Sequence, residues 1–280
     1  MKECIIELVR SSYSYNEETL AVKDINIKIH KGERIAILGN NGAGKSTFFL
    51  LLNGILPLHH GKIIFHGKEL NHNKKDLNLL RKEVGFVFQD PDNQIIAPTV
   101  ESEISFGLMN LNLSKNVIKD RLESTMKELN LTLYKNSPPH YLSGGEKKRV
   151  SIADILVMEP EVLLFDEPTA SLDSINIAVF EEILERENKK GMTTLISTHD
   201  IDFAWRWADR VVLFHQGEIV GDDIPENIFT DDLLLNKISL NKPTMLQTVE
   251  LISRIKGMMY PNPIPRNEDM FQDYLKESFK

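Results

Sequence analysis

The segment Gly39-Asn40-Asn41-Gly42-Ala43-Gly44-Lys45-Ser46 constrains this chain more than any other feature. It fits G-x-x-x-x-G-K-[S/T], a pattern that ordinary residue frequencies produce by chance in about one chain in a hundred of this length. The context agrees, because Arg34-Ile35-Ala36-Ile37-Leu38 reads as a short buried strand before the loop and Lys45 to Leu52 as a helix after it. Small residues let successive backbone N–H groups surround an anion, and the following helix aims its positive end at the same point. Lys45 is expected to reach the β and γ phosphates of ATP, Ser46 to offer its hydroxyl to Mg²⁺, and Thr47 to support the α and β phosphates.

A second element narrows the chemistry. Val162-Leu163-Leu164-Phe165-Asp166-Glu167 is an apolar strand ending in two acids, so Asp166 can hold the Mg²⁺ shell while Glu167 faces an attacking water. Further buried strands are expected at Val84 to Phe88, Thr193 to Ser197 and Arg210 to Phe214, with helices over 174–190 and 200–208. This alternation implies a parallel α/β sheet. His199 follows one of these strands, where such sheets place their ligand crevice.

The first forty residues instead alternate apolar and polar, notably Cys4 to Arg10 and Val22 to Ile29, which predicts an antiparallel β layer. From Gln89 to about Leu156 the strand pattern stops. Val117, Ile118, Leu122, Met126 and Leu129 recur at helical spacing, so a helical subdomain over about 90–156 is expected as an insertion. Pro225 opens a short helix through Phe229, and Met245 to Ile255 reads as an amphipathic helix that docks on the core or on a partner. Pro261 to Pro265 reads as an extended connector, and the final dozen residues as a small helix or a loose end.

Composition removes several classes. With 33 Lys and Arg against 41 Asp and Glu, the net charge is −8, which argues against a general nucleic-acid binder. No apolar run approaches the ~20 residues needed to cross a bilayer. The acidic start and the single cysteine, Cys4, point to an intracellular, disulfide-free protein in which Cys4 is a small apolar side chain.

Leu142-Ser143-Gly144-Gly145-Glu146, standing between Gln89 and the Asp166 strand, resembles the signature of ATP-binding cassette proteins. The resemblance covers residues 3–243 and implies an α/β P-loop ATPase cassette: a mixed, mainly parallel core with an antiparallel β subdomain and an inserted helical subdomain. Residues 244–280 would form a C-terminal helical extension. By the same resemblance, Ser143, Gly144 and Gly145 contact the γ phosphate of ATP held by a second cassette, identical or not. Tyr15 stacks on adenine, with Tyr13 as the competing candidate. Gln89 joins Mg²⁺ and water to the transporter interface, Ser171-Leu172-Asp173 crosses the dimer interface, and His199 is the switch histidine near the γ phosphate. The family signature commonly has glutamine where this chain has Glu146, whose added charge calls for a side chain turned away or paired with Lys147, Lys148 or Arg149.

Phe88-Gln89-Asp90-Pro91-Asp92-Asn93-Gln94 and the stretch through Gly107 look like the corresponding loop of energy-coupling-factor importers. Lys147 to Ala153, Thr198 to Asp202 and Trp207 to Arg210 are similar to the ATP-binding subunits of cobalt importers (CbiO type). The implied role is an ATP-hydrolysing subunit on the cytoplasmic face of a membrane, peripheral, beside a transmembrane energy-coupling subunit and a substrate-binding membrane subunit. Cobalt is the first expectation for cargo and nickel the next, with vitamins as the alternative. A soluble cassette ATPase and a nucleotide-dependent interaction module are the competing classes. The apolar segment Ile95 to Val100 reads equally as a membrane-partner contact or as internal packing. His59, His60, His66 and His72 are irregularly spaced and lack accompanying cysteines, so they read as solvated loop and strand residues rather than metal ligands.

Overall fold

The computed structural model describes residues 3–278 except 17, 18, 72, 112 and 171. Strands β1 (Cys4–Ser14) and β2 (Leu20–His30) pair antiparallel, and β3 (Arg34–Leu38) leads through the glycine loop into α1 (Lys45–Leu52). There follow β4 (His60–Phe65), β5 (Lys68–Glu69), α2 (Lys74–Glu83) and β6 (Val84–Val87). Three helices come next without a strand: α3 (Val100–Met109), α4 (Lys115–Glu128) and α5 (Gly144–Leu156). The rest is β7 (Val162–Asp166), α6 (Ser174–Lys189), β8 (Thr193–Ser197), α7 (Ile201–Trp207), β9 (Arg210–His215), β10 (Glu218–Asp223), α8 (Pro225–Thr230), α9 (Asp232–Ile238), α10 (Thr244–Lys256) and α11 (Glu268–Ser278).

Two sheets result. An antiparallel sheet runs β2-β1-β4-β5, and a six-stranded sheet runs β10-β9-β3-β8-β7-β6, parallel except for β10. Strands covered on both faces need apolar side chains at every position, not at alternate ones. In β3, Ile35 and Ile37 join the core around α1 and the antiparallel sheet, whereas Ala36 and Leu38 join the core beneath the opposite helices. Along β7, Val162 and Leu164 face the first core, and Leu163 and Phe165 the second. Phe48 and Phe49 of α1 are fully enclosed, with Phe48 packed 5.0 Å from Phe214 between ring centroids. Burying each ring contributes about 2–3 kcal/mol, which fixes the start of the helix under the glycine loop.

Several elements escape the sequence patterns. β4 begins with exposed His60, Gly61 and Lys62, so its alternation covers only its second half. α2 buries only Asp76 and Leu80, too few positions to set a period. In α4, Leu122 and Met126 are buried as the spacing predicts, but Val117 is exposed. Ile255 is likewise exposed although α10 buries Leu246 and Val249.

The C-terminal helices dock on the core. Thr244 N–H and Oγ1 donate to Asp202 at 2.6 and 2.8 Å, and Trp205 Nε1 donates to Pro265 O at 3.1 Å. The Arg266 guanidinium lies over the Trp205 ring and donates to the carbonyls of Trp205 and Ala208. Among the described residues, no helix is long and apolar enough to cross a membrane.

Candidate functional site

The loops that carry chemistry leave the C-terminal ends of four neighbouring parallel strands. Gln89 follows β6, Glu167 follows β7, His199 follows β8 and the glycine loop follows β3. This brings Tyr15, Asn41, Gly42, Ala43, Gly44, Lys45, Ser46, Thr47, Gln89, Glu167 and His199 around one cleft of about 420 Å³, with Ala21 and Ala170 completing its wall. That volume suits a nucleotide-sized ligand.

The glycines have separate tasks. A Cβ on Gly39 would lie 2.3 Å from Phe214 O, so this residue permits β3 and β9 to exit side by side. Gly44 has φ +106, and a Cβ there would meet Ala21 O at 2.6 Å. Only glycine adopts that turn without strain while the β1–β2 sheet presses on the loop. Gly39 and Asn40 themselves do not line the cleft, and Asn40 Nδ2 donates to Ile238 O at 3.2 Å. Asn40 was expected at the nucleotide; its side chain is turned to α9.

Lys45 is buried at the cleft floor. Its ammonium donates to Gly39 O at 2.7 Å and lies 3.6 Å from Glu167 Oε1. Burial pushes its pKa down, and the charges of Glu167 and Asp166 oppose that push. Glu167 Oε1 also sits 3.0 Å from His199 Nε2, yet it is enclosed and completes no hydrogen bond. Glu167 itself has φ +42, a left-handed conformation that costs a non-glycine residue about 1–3 kcal/mol and clusters at active sites.

Ser197 holds that conformation in place, and no sequence pattern singled it out. Its hydroxyl donates to Asp166 Oδ1 at 2.5 Å and accepts from Glu167 N–H at 3.0 Å, while its carbonyl accepts from the same N–H at 3.1 Å. One serine thereby orients both acids. The register Asp166↔Ser197 creates this contact, and the only sequence signal is a hydroxyl at the end of a strand that neighbours the acidic one.

Tyr15 is 63% exposed and lines the cleft, with its hydroxyl 3.2 Å from Thr47 Oγ1. Tyr13 is 8% exposed and packs edge-on against Tyr15 at 5.0 Å, so it supports the outer ring instead of facing the ligand.

Ser143, Gly144 and Gly145 lie outside this cleft, at the start of α5. Ser143 and Gly144 are exposed, and a Cβ on Gly145 would collide with the Asn176 side chain. Of the three cations expected as partners for Glu146, only Arg149 acts on it, through its charge. Lys147 binds Asp92 at 2.7 Å, and Lys148 donates to the carbonyls of Phe88 and Gln89 at 3.0 and 2.7 Å. Lys148, 4% exposed, was expected as a partner for Glu146 but instead ties α5 to the Gln89 loop. Ser171 and His72 lie outside the described residues. His59 stacks beside Tyr13, and His66 binds Glu161 at 2.6 Å.

A family model described as ABC transporter matches residues 22–170. The chain belongs to the ABC transporter family. It carries that family's ATP-hydrolysing P-loop cassette. The cassette is 43% identical over 250 residues to the energy-coupling factor transporter ATP-binding protein EcfA of Methanocaldococcus jannaschii, covering 89% of this chain and 90% of that one. A putative ABC transporter ATP-binding protein of Methanosarcina mazei is 44% identical over 94% of this chain, which spans 58% of that relative's length. Among solved structures, cbiO1 of Clostridium perfringens, part of the ABC transporter complex cbiONQ, is similar with a TM-score of 0.75 and 38% identity over 90% of this chain and 100% of that one. A dimeric cassette in a post-hydrolysis state bound to ADP and Pi is similar with a TM-score of 0.71 and 28% identity, covering 79% of this chain and 99% of that one.

Proposed function

We propose that this cassette powers a membrane importer of the energy-coupling-factor type whose cargo is a transition metal ion, cobalt first and nickel next. The observation that carries the ATP chemistry is the convergence of Lys45, Glu167, His199 and Gln89 on one cleft beside the glycine loop. Resemblance to EcfA and cbiO1 supports the importer class, and the metal cargo rests on the resemblance of Lys147 to Ala153, Thr198 to Asp202 and Trp207 to Arg210 to the ATP-binding subunits of cobalt importers. In this reading the chain lies peripherally on the cytoplasmic face of the membrane, held by a transmembrane coupling subunit that works with a substrate-binding membrane subunit.

Ser46, Gln89 and Asp166 offer hydroxyl, amide and carboxylate oxygens, a donor set that suits Mg²⁺. Glu167 Oε1, enclosed and facing only Lys45 and His199 without a completed hydrogen bond, and the buried Asp166 beside it fit a site built for a cation-bearing ligand. Held there with ATP by these residues, Mg²⁺ would neutralise phosphate charge. Phosphate oxygens draw the Lys45 ammonium from Gly39 O and Glu167, which leaves Glu167 to take a proton from the attacking water. His199 donates toward the transferring phosphoryl group, and Tyr15 covers the base. Ser143, Gly144 and Gly145 approach the γ phosphate of ATP on a second cassette, and loss of that phosphate reopens the pair.

Glu167→Gln tests the base. Turnover should fall about 10²- to 10⁴-fold while ATP-dependent pairing persists, and unchanged turnover removes Glu167 from that role. Reconstitution with the membrane partners, followed by ATP-dependent uptake of cobalt, nickel and vitamins, tests the cargo. Uptake of vitamins alone overturns the metal assignment, and the absence of any stimulation by membrane partners overturns the importer reading.

A further inference from the structure

Glu146 fills a position where the family signature commonly carries glutamine, and the structure engages it fully with Ser143. Ser143 caps α5: its Oγ–H donates to Glu146 Oε2 at 2.7 Å, its backbone N–H donates to the same oxygen at 2.7 Å, and Glu146 N–H returns to Ser143 Oγ at 3.4 Å. Tyr134, from the turn after α4, donates toward the carboxylate as well. These bonds, from Tyr134 first and Ser143 next, hold the carboxyl below its ordinary range. Lys147 and Lys148 are committed to Asp92 and to the Phe88 and Gln89 carbonyls, so neither pairs with Glu146, and Arg149 offsets the carboxylate charge only as the weakest of the influences on it.

A hydroxyl has one proton to donate, and a phosphate oxygen can only accept. Both hydrogens that Ser143 could present to an incoming phosphate therefore point at one carboxylate oxygen. That carboxylate also repels the anion whose place it holds. Glutamine would keep the cap through a neutral carbonyl and remove the repulsion.

We propose that Glu146 is a positioning residue that restrains Ser143, so that a nucleotide-loaded pair of cassettes closes only after phosphate displaces this carboxylate from the Ser143 hydroxyl. The proposal rests on the reading that Ser143 meets the nucleotide of a second cassette. Its consequence is a cassette that stays open at low ATP and closes at a threshold set by one side chain.

The test is sedimentation velocity of the full chain carrying Glu167→Gln, titrated with Mg–ATP, with and without Glu146→Gln. The glutamine is expected to lower the half-saturating ATP about 5- to 10-fold at low salt, the order expected for removing one partly exposed like charge. The shift should shrink as salt rises toward about 0.5 M. The thermal midpoint of the monomer should fall only slightly, because glutamine preserves the cap and gives up only the charge on its hydrogen bonds and on the start of α5. Tyr134→Phe, which removes a donor that pins the carboxylate, should shift pairing the same way by less; the opposite sign overturns the pinning. Unchanged half-saturation in Glu146→Gln, with Ser143→Ala still weakening pairing, reduces Glu146 to a helix cap and overturns the proposal alone. A silent Ser143→Ala overturns both the proposal and the reading beneath it.

Discussion

Asp154 on α5 is held at a cost that acidity should reveal. Its Oδ2 accepts from Gln94 Nε2 at 3.2 Å, while the same amide donates to Ser151 O at 2.8 Å and Gln94 Oε1 accepts from Phe88 N–H at 3.2 Å. Gln94 thus staples the strand end before Gln89 to α5, with Asp154 as one anchor. Burial raises this carboxyl from 3.8 to about 7; the Gln94 hydrogen bond opposes the rise and the charge of buried Glu103 adds to it. At about 1.4 kcal/mol for each factor of ten in proton affinity, full ionisation costs about 4 kcal/mol.

The sign follows from which state holds the proton. Between about pH 4 and 7 the unfolded chain has lost the Asp154 proton and the folded chain keeps it, so this residue's contribution to stability falls as pH rises through that window. Asp154→Asn retains an acceptor for Gln94 without the charge. In urea unfolding, the variant should exceed the parent by about 4 kcal/mol near pH 8, by about a third of that near pH 5, and by little below about pH 4. Comparing the two proteins at each pH cancels the titration of the other acids. A variant that is less stable at pH 8, or whose advantage is the same at every pH, refutes the assignment of a strained carboxylate.

Ser197→Ala should lower the steady-state rate of ATP hydrolysis by about 10-fold or more and destabilise the fold by about 1–3 kcal/mol, since it frees buried Asp166 and loosens Glu167; retained turnover would show that the backbone alone orients the two acids. Gly44→Ala forces a side chain into φ +106 against Ala21 O, so ATP binding measured by calorimetry should be lost and the thermal midpoint should drop. Lys148 is pushed down to about 8 by burial, so folding is expected to gain stability as pH rises from about 8 toward 10, where the unfolded chain still holds the proton. Lys148→Met should abolish that gain in urea titrations at the two pH values.

Much of this protein was legible along the chain because its key signals are local. The glycine loop is a run of consecutive residues whose backbone must curl around an anion, and β3 and α1 fall where the apolar runs on either side put them. Asp166 ends a strand with apolar residues on both faces, so the place of Glu167 at the crevice, with Asp166 buried beside it, also follows from adjacency. The elements that were not legible bury too few side chains to leave a period, as in α2 and the first half of β4.

The contacts that set the chemistry join residues far apart in sequence. Ser197 meets Asp166 and Glu167 because β8 and β7 pair in one register, and a slip of one residue would turn its hydroxyl to the other face. Lys148 reaches the Gln89 loop, Tyr134 reaches Glu146, and Asn40 turns to Ile238 through packing that no pattern in either partner announces. Sequence determined which groups could bind and cleave a nucleotide, since residue types at fixed local spacing carry that chemistry. Tertiary structure decided how those groups are oriented and restrained, because hydrogen-bond geometry depends on where separate strands and helices come to rest against one another.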